Sequence, residues 1–310
     1  MTIGIATYGP NAGAACVAAL KSVEAVGRGA IGGFVSLVVI TQDGDLKHLT
    51  CQTEGTRGLL QGANLPIEFA QAELATLMSS GPNRPEPLES FTVAKAGVAL
   101  VTGHRMPNAI GVSGKALNQS VLDHIETGHE PHTAMSMILT ENPNADAGFL
   151  VLTADRKLFT ANSALVEQRS DTGLCVLDDP ATELGAGVIH NGILPSKPLA
   201  SLAAEVAMDH MYPADAAYAS IEFRTGTRLS LAESTYVEVD EHGVVAGIFV
   251  DDPLILMGTR GVGLGYKVPV VKSVHSLGHM TYEPFLLVTD GVLSQIDGNS
   301  ALAVSIRRDK

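Results

Sequence analysis

Two short polar clusters hold the side chains best suited to handling a small polar ligand. In Thr102-Gly103-His104-Arg105-Met106-Pro107-Asn108, an imidazole, a guanidinium and a carboxamide follow directly on an apolar run. Loops at strand ends present ligand groups, and Arg grips a carboxylate through two parallel hydrogen bonds. His104, Arg105 and Asn108 are therefore candidate substrate-binding residues. In Ile189-His190-Asn191-Gly192, an acid/base imidazole stands beside an amide. His190 is the candidate catalytic acid/base and Asn191 a candidate binding residue. Turn chemistry is the competing reading of both clusters, since Asn-Gly is a standard turn dipeptide.

Other reactive types give weaker signals. Cys16, Cys51 and Cys175 form no CxxC pair, sit in apolar surroundings, and read as small buried hydrophobes rather than a disulfide frame or zinc site. His275 and His279 would share a face on a helix, but Gly278 and the β-rich surroundings oppose a helix there, and the Glu of a zinc protease is absent. His129 and His132 bracket a helix start and read as capping or solvent-exposed groups. Gly261-Val262-Gly263-Leu264-Gly265 is spaced GxGxG with no helix to follow, so no phosphate cradle is expected. Neither a metal nor a cofactor is expected.

The elements that must position these groups are legible in part. The 310 residues are 45% hydrophobic, enough for a substantial core, and exceed one average domain. The formal charge of -13 repels phosphate backbones and anionic lipid, so nucleic acid and membranes are poor partners. A small-molecule ligand is the expected partner, and assembly into a homo-oligomer stays open. No leader pattern precedes Ile3 and no apolar run is long enough to span a bilayer, so the expected location is cytoplasmic.

Residues 3–8 read as a buried strand and 13–26 as a helix capped by Asn11 and stopped at Gly27. Residues 34–41 and 46–52 flank Gln42-Asp43-Gly44-Asp45, a hairpin signal. The plan recurs as a helix over 131–139, a strand over 148–153, a turn at 154–157 and a strand over 158–162. Superposing Thr41 on Thr153 brings Asp43 onto Asp155 and Leu46 onto Leu158. Further helices are predicted over 67–78 and 199–211, and a strand over 97–102. Surface loops are expected over 79–89 and, long and irregular, over 178–198. Beyond Ala219 the pattern becomes short strands and turns, with hairpins near 237–244 and 287–292.

The segment over residues 13–55, with AACVAALKSVEAVGRGAIGGFVSLVVITQDGDLKHLTCQTEG within it, resembles the opening of asparaginase-type and isoaspartyl-peptidase Ntn hydrolases. Asp146-Ala147-Gly148-Phe149-Leu150-Val151-Leu152, with Leu158 to Ser163, is similar to that family's nucleophile hairpin. The likeness covers about a third of the chain and lies in small and apolar residues. An uncharacterised bacterial Ntn-hydrolase-like family is similar over most of the length.

The resemblance implies an α+β fold, a four-layer αββα sandwich, over residues 1–218, while the strand-and-turn pattern beyond it reads as a smaller β-rich domain over 219–310. It also implies amide hydrolysis by an N-terminal Thr, Ser or Cys whose own α-amine is the base. The family's Gly-Thr cleavage pair falls on Ala145-Asp146, and Asp146 supplies no hydroxyl. Thr2, freed by removal of Met1, is the candidate nucleophile in its place. Thr56 and Thr227, each after a glycine, are the alternatives. Asn162 and Ser163 fall where the family carries a small hydroxylated pair near its site, and join the candidate binding residues.

Two functions are compatible with these residues on that fold, and an unrelated α/β fold with a different active site stays open beside them. One is an amidohydrolase acting on a small amide or peptide-like compound. The other is a non-catalytic member of the same fold that binds a metabolite or serves as an oligomeric interaction module.

Overall fold

The strand β1 (Thr2–Tyr8) is buried at every residue. Being hidden on both faces is what its unbroken apolar and small-residue run requires. A computed structural model describes residues 1–179, 182–211 and 218–308 of the chain. They divide into two compact units, Met1–Met211 and Tyr212–Lys310.

In the first unit, Asn11 precedes helix α1 (Ala12–Val26) at φ 59, turning the chain through its backbone while its side chain makes no cap. The expected hairpin follows as β2 (Val35–Ile40) and β3 (Leu46–Cys51), paired from Val35↔Cys51 to Ile40↔Leu46. Helix α2 (Gly55–Leu60) leads to a short α3 (Ile67–Ala70) and then to β4 (Leu74–Ser80). The helix expected over 67–78 is thus only one turn long. Leu74-Ala75-Thr76-Leu77-Met78 is a continuous apolar run whose composition suits a buried helix as well as a buried strand, and pairing with β1 and β2 decides for the strand.

The second sheet comprises β5 (Val93–Lys95), β6 (Ala99–Arg105), β7 (Ala147–Thr153) and β8 (Leu158–Asn162), in that order and antiparallel throughout. Between β6 and β7 run α4 (Leu117–Glu126) and α5 (Pro131–Glu141). These helices bury Leu117, Val121, Met135 and Ile138 against Val101, Phe149 and Val151 of the sheet. A single turn, α6 (Ala164–Glu167), follows β8.

The stretch expected as a long irregular loop over 178–198 is mostly strand. β9 (Thr172–Asp179) pairs with β10 (Leu184–Asn191), and β10 pairs with β1. Gly185 and Gly187 gave the loop signal. Here they make room instead: a Cβ on Gly185 would stand 2.0 Å from the Tyr8 ring, and one on Gly187 2.9 Å from Leu150. Helix α7 (Ser196–Met211) closes the unit and packs on α1, β9 and β10. The first sheet therefore runs β3-β2-β4-β1-β10-β9, every pair antiparallel.

The two sheets meet closely. A Cβ on Gly4 would lie 2.5 Å from the Gly103 carbonyl oxygen, and the Thr102 hydroxyl donates to the Leu77 carbonyl at 2.9 Å. Ala6, Leu74, Leu100, Leu150, Leu152 and Ile189 form the core between them.

The second unit is β-rich. Its strands are β11 (Tyr218–Arg224), β12 (Leu229–Leu231), β13 (Tyr236–Val239), β14 (Val245–Val250), β15 (Thr259–Gly263), β16 (Pro269–Lys272), β17 (His275–Met280), β18 (Phe285–Thr289), β19 (Val292–Ile296) and β20 (Ala301–Arg307). They form one seven-stranded and one three-stranded sheet over a common core that includes Phe223, Val237, Ile248, Leu286 and Ile296. Both hairpins expected here are present. The β13–β14 turn is held by Asp240, whose carboxylate accepts from the main chain of His242 and Val244 at 2.8 and 2.9 Å. Asp290 and Gly291, at φ 48 and 71, make the tight turn between β18 and β19.

Candidate functional site

Thr2 and Asn191 face each other where β1 begins and β10 ends. The Thr2 side chain is 5% exposed and its hydroxyl donates to the Asn191 side-chain oxygen at 2.7 Å. From the other sheet, the main-chain N–H of Arg105 donates to the same hydroxyl. One hydroxyl thus ties the two sheets together at their rim.

Arg105 ends β6 at φ 65, a left-handed conformation that turns its side chain onto Asp146. Its Nε donates to both carboxylate oxygens at 2.9 Å, and Nη2 donates as well. The guanidinium holds the Asp146 carboxyl below the ordinary carboxylate range. Asp146 also walls a cleft of about 490 Å³, lined further by Met106, Ile110, Val112 and Asn142.

His104 lies within β6 rather than in a loop after it, and is fully buried. Its Nε2 donates to the Asn162 side-chain oxygen at 2.9 Å, and Nδ1 has no partner among the described residues. The bond depends on Gly148, which pairs with both residues. A Cβ there would stand 2.1 Å from His104 Nε2 and 2.3 Å from Asn162 Oδ1. Burial, against the weaker pull of Asn162, brings the His104 pKa down to about 4, so the ring is neutral.

His190 sits next to Asn191 but points the other way. Ile189 belongs to the core between the sheets, so alternation along the strand turns Asn191 to that side and His190 away from it. Its Nε2 donates to the Ser196 carbonyl at 2.8 Å, and its Nδ1 has no partner among the described residues. Burial lowers its pKa as well.

Other expected residues stand apart. The Asn108 amide donates to the Ser90 hydroxyl at 3.1 Å, and Ser163 caps α6 by accepting from the Val166 N–H. Thr56 places its hydroxyl and main-chain N–H on the Glu24 carboxylate, and Thr227 donates to the Arg224 carbonyl at 2.7 Å in a turn. Cys16 faces the Ile5 carbonyl from within α1, and burial raises its thiol pKa above the ordinary range. Cys51 lies in β3 and Cys175 in β9. His275 and His279 lie on strand β17, and Gly261 and Gly263 on β15. Among the described residues no group of three or more His, Cys, Asp or Glu side chains is placed to hold a metal ion, and no helix is long and apolar enough to cross a membrane.

Several residues of the rim were missed in the sequence. The α-amine of Met1 is lowered in pKa by burial first, then by the charges of Arg105, Arg84 and Arg169, with Asp171 opposing. Arg84 Nε donates to the Ser80 hydroxyl at 2.7 Å, and Ser80 lies opposite Thr2 on β4. Arg169 is braced by Asp171, with Nε–Oδ1 at 2.9 Å and Nη2–Oδ2 at 2.6 Å. Arg84 and Arg169 come from irregular segments far apart in the chain, and no spacing pattern joins them.

A family model described as a domain of unknown function (DUF6963) matches residues 2–220, and a second (DUF7259) matches residues 226–301. No curated protein matches the chain. Among solved structures, glutamine phosphoribosylpyrophosphate (PRPP) amidotransferase from B. subtilis, complexed with ADP and GMP, is similar at 14% identity with a TM-score of 0.36. That match covers 60% of this chain, which spans 41% of the amidotransferase chain.

Proposed function

Given that the chain belongs to the DUF6963 family, a domain of unknown function, we propose from its own site that it is an Ntn-type amide hydrolase with Thr2 as nucleophile. The first unit is read as a four-layer αββα sandwich, with α1 and α7 on one sheet and α4 and α5 on the other. The substrate is a small amide or peptide-like compound met in the cytoplasm. The observation that carries the reading is the Thr2 hydroxyl, at the head of a central strand between Asn191 and the Arg105 N–H.

Once Met1 is removed, the Thr2 amine takes the hydroxyl proton and Oγ1 attacks the substrate carbonyl. The C–N bond breaks, the departing amine carries that proton away, and water then hydrolyses the Thr2 ester to release the acid. The cations that depress the Met1 amine would act on the Thr2 amine in the same sense, keeping it unprotonated nearer neutrality. The Arg105 N–H, which donates to Oγ1, is the main-chain donor offered to the charge that develops beside it. Asn191 orients the hydroxyl, Arg105 and Asp146 brace the rim, and the neutral His104–Asn162 pair fixes its floor. His190 serves as a positioning residue on the far face of β10.

A non-catalytic metabolite binder of the same fold is the second reading. It is favoured by Asp146 at the position of the family's Thr. A panel of short-chain amides offered to chain beginning at Thr2 separates the two. Hydrolysis lost in Thr2→Ala and kept in Thr2→Ser supports the hydrolase. Hydrolysis unchanged in Thr2→Ala removes Thr2 from the chemistry.

A further inference from the structure

The Met1 side chain lies in a cradle that only glycine permits. A Cβ on Gly192 would stand 2.5 Å from Met1 Cγ, and one on Gly29 2.8 Å from its sulfur. Both residues adopt positive φ, 67 at Gly192 and 148 at Gly29, where side chains are disfavoured. The Ala30 N–H donates to the Met1 sulfur at 3.0 Å.

Main-chain hydrogen bonds that do not involve Met1 join the walls of the cradle. Arg28 and Leu194 exchange main-chain hydrogen bonds of 2.9 and 3.0 Å, fixing the segment of Gly29 against that of Gly192. The Gly192 N–H donates to the Asp171 carbonyl at 2.9 Å, tying the floor to the Arg169–Asp171 pair. Met1 is 43% exposed, so the cradle opens to solvent.

We propose that removal of Met1 turns this cradle into a side-chain subsite for an unbranched, apolar chain of about methionine's length on the acyl part of the ligand. Its link to catalysis rests on the Thr2 reading, whereas its binding does not. The vacated residue stood beside the Thr2 amine, so a ligand seated there brings its carbonyl or carboxylate to the nucleophile. The charges of Arg105, Arg84 and Arg169 act at the Met1 amine and outweigh the opposing charge of Asp171, so an anionic group is favoured where that amine stood. A free α-amino acid with a linear side chain reproduces the vacated residue and is the product-like probe.

Calorimetric titration of chain beginning at Thr2 with L-methionine, L-norleucine, L-valine and glycine tests the subsite. Each buried methylene is worth about 0.8 kcal/mol, so methionine and norleucine should bind on the order of a hundredfold tighter than glycine and about fourfold tighter than valine. Gly192→Ala should remove that preference; if the variant does not fold, the ligand series on unmodified chain decides. Equal affinities across the series, or no binding by any member, overturn the subsite. A linear-chain preference without amide hydrolysis would leave the subsite standing and remove the hydrolase, while hydrolysis without the preference would do the reverse.

Discussion

The Thr2 hydroxyl and the Asn191 carboxamide meet at 2.7 Å across two central strands, and nothing between them in sequence announces the contact. Asn191→Ala would leave a buried hydroxyl without its acceptor. Such a loss costs about 1–3 kcal/mol. Urea denaturation should show that cost, and Asn191→Asp, which keeps an acceptor oxygen, should recover part of it. Stability unchanged in Asn191→Ala would mean the hydroxyl is satisfied elsewhere.

His104 makes stability depend on pH. Its folded pKa of about 4 lies below the ordinary imidazole value of 6.5, so between these values the unfolded chain binds the extra proton. Its contribution is complete above 6.5 and is lost as pH falls toward 4, a swing on the order of 3 kcal/mol. His190, lowered for the same reason, acts in the same direction. Denaturation curves for the natural chain and His104→Gln should differ in slope against pH across this window. Parallel slopes would place the ring in water.

Gly103 and Gly4 set the spacing of the two sheets. A Cβ on Gly4 would meet backbone at 2.5 Å, and backbone cannot swing aside as a side chain can. Gly4→Ala should therefore destabilise by about 1–3 kcal/mol or more through overpacking. A thermal midpoint equal to that of the natural protein would show that the sheets part without cost.

Asp146 braces Arg105 at roughly 30% side-chain exposure, which leaves the pair only partly screened. Asp146→Asn should cost about 1 kcal/mol near neutral pH. The carboxyl is lowered from 3.8, so its contribution is full above that value and disappears as pH falls through the folded pKa. The gap between natural chain and variant should narrow below pH 3.8. A gap that persists in strong acid would assign the effect to packing.

Reading the chain in advance located β1, α1, both hairpins of the first unit and the β-rich character beyond residue 219, because each has a local signature of apolar runs bounded by turn residues. It failed at β4 and β10, where the deciding force is pairing with strands distant in sequence. Gly185 and Gly187 belong to a Pro/Gly-rich stretch that reads as loop because the sequence does not show Tyr8 and Leu150 pressed against them. The amphipathic α4 was not read at all. At the site, His104, Arg105, Asn162, Asn191 and Thr2 gather at one rim, whereas His190 is turned away by the two-residue period of its strand, which a loop assignment hides. Arg84, Arg169 and Asp171 were illegible, since only the folded chain brings them to the Met1 amine.

Acylation of Thr2 tests the central claim most directly. Purified protein is incubated with an activated short-chain acyl compound, digested, and mapped by mass spectrometry. The expected result is a single acyl group on a peptide that begins at Thr2, absent from Thr2→Ala. A peptide that still begins at Met1 and carries no acyl group would contradict the account.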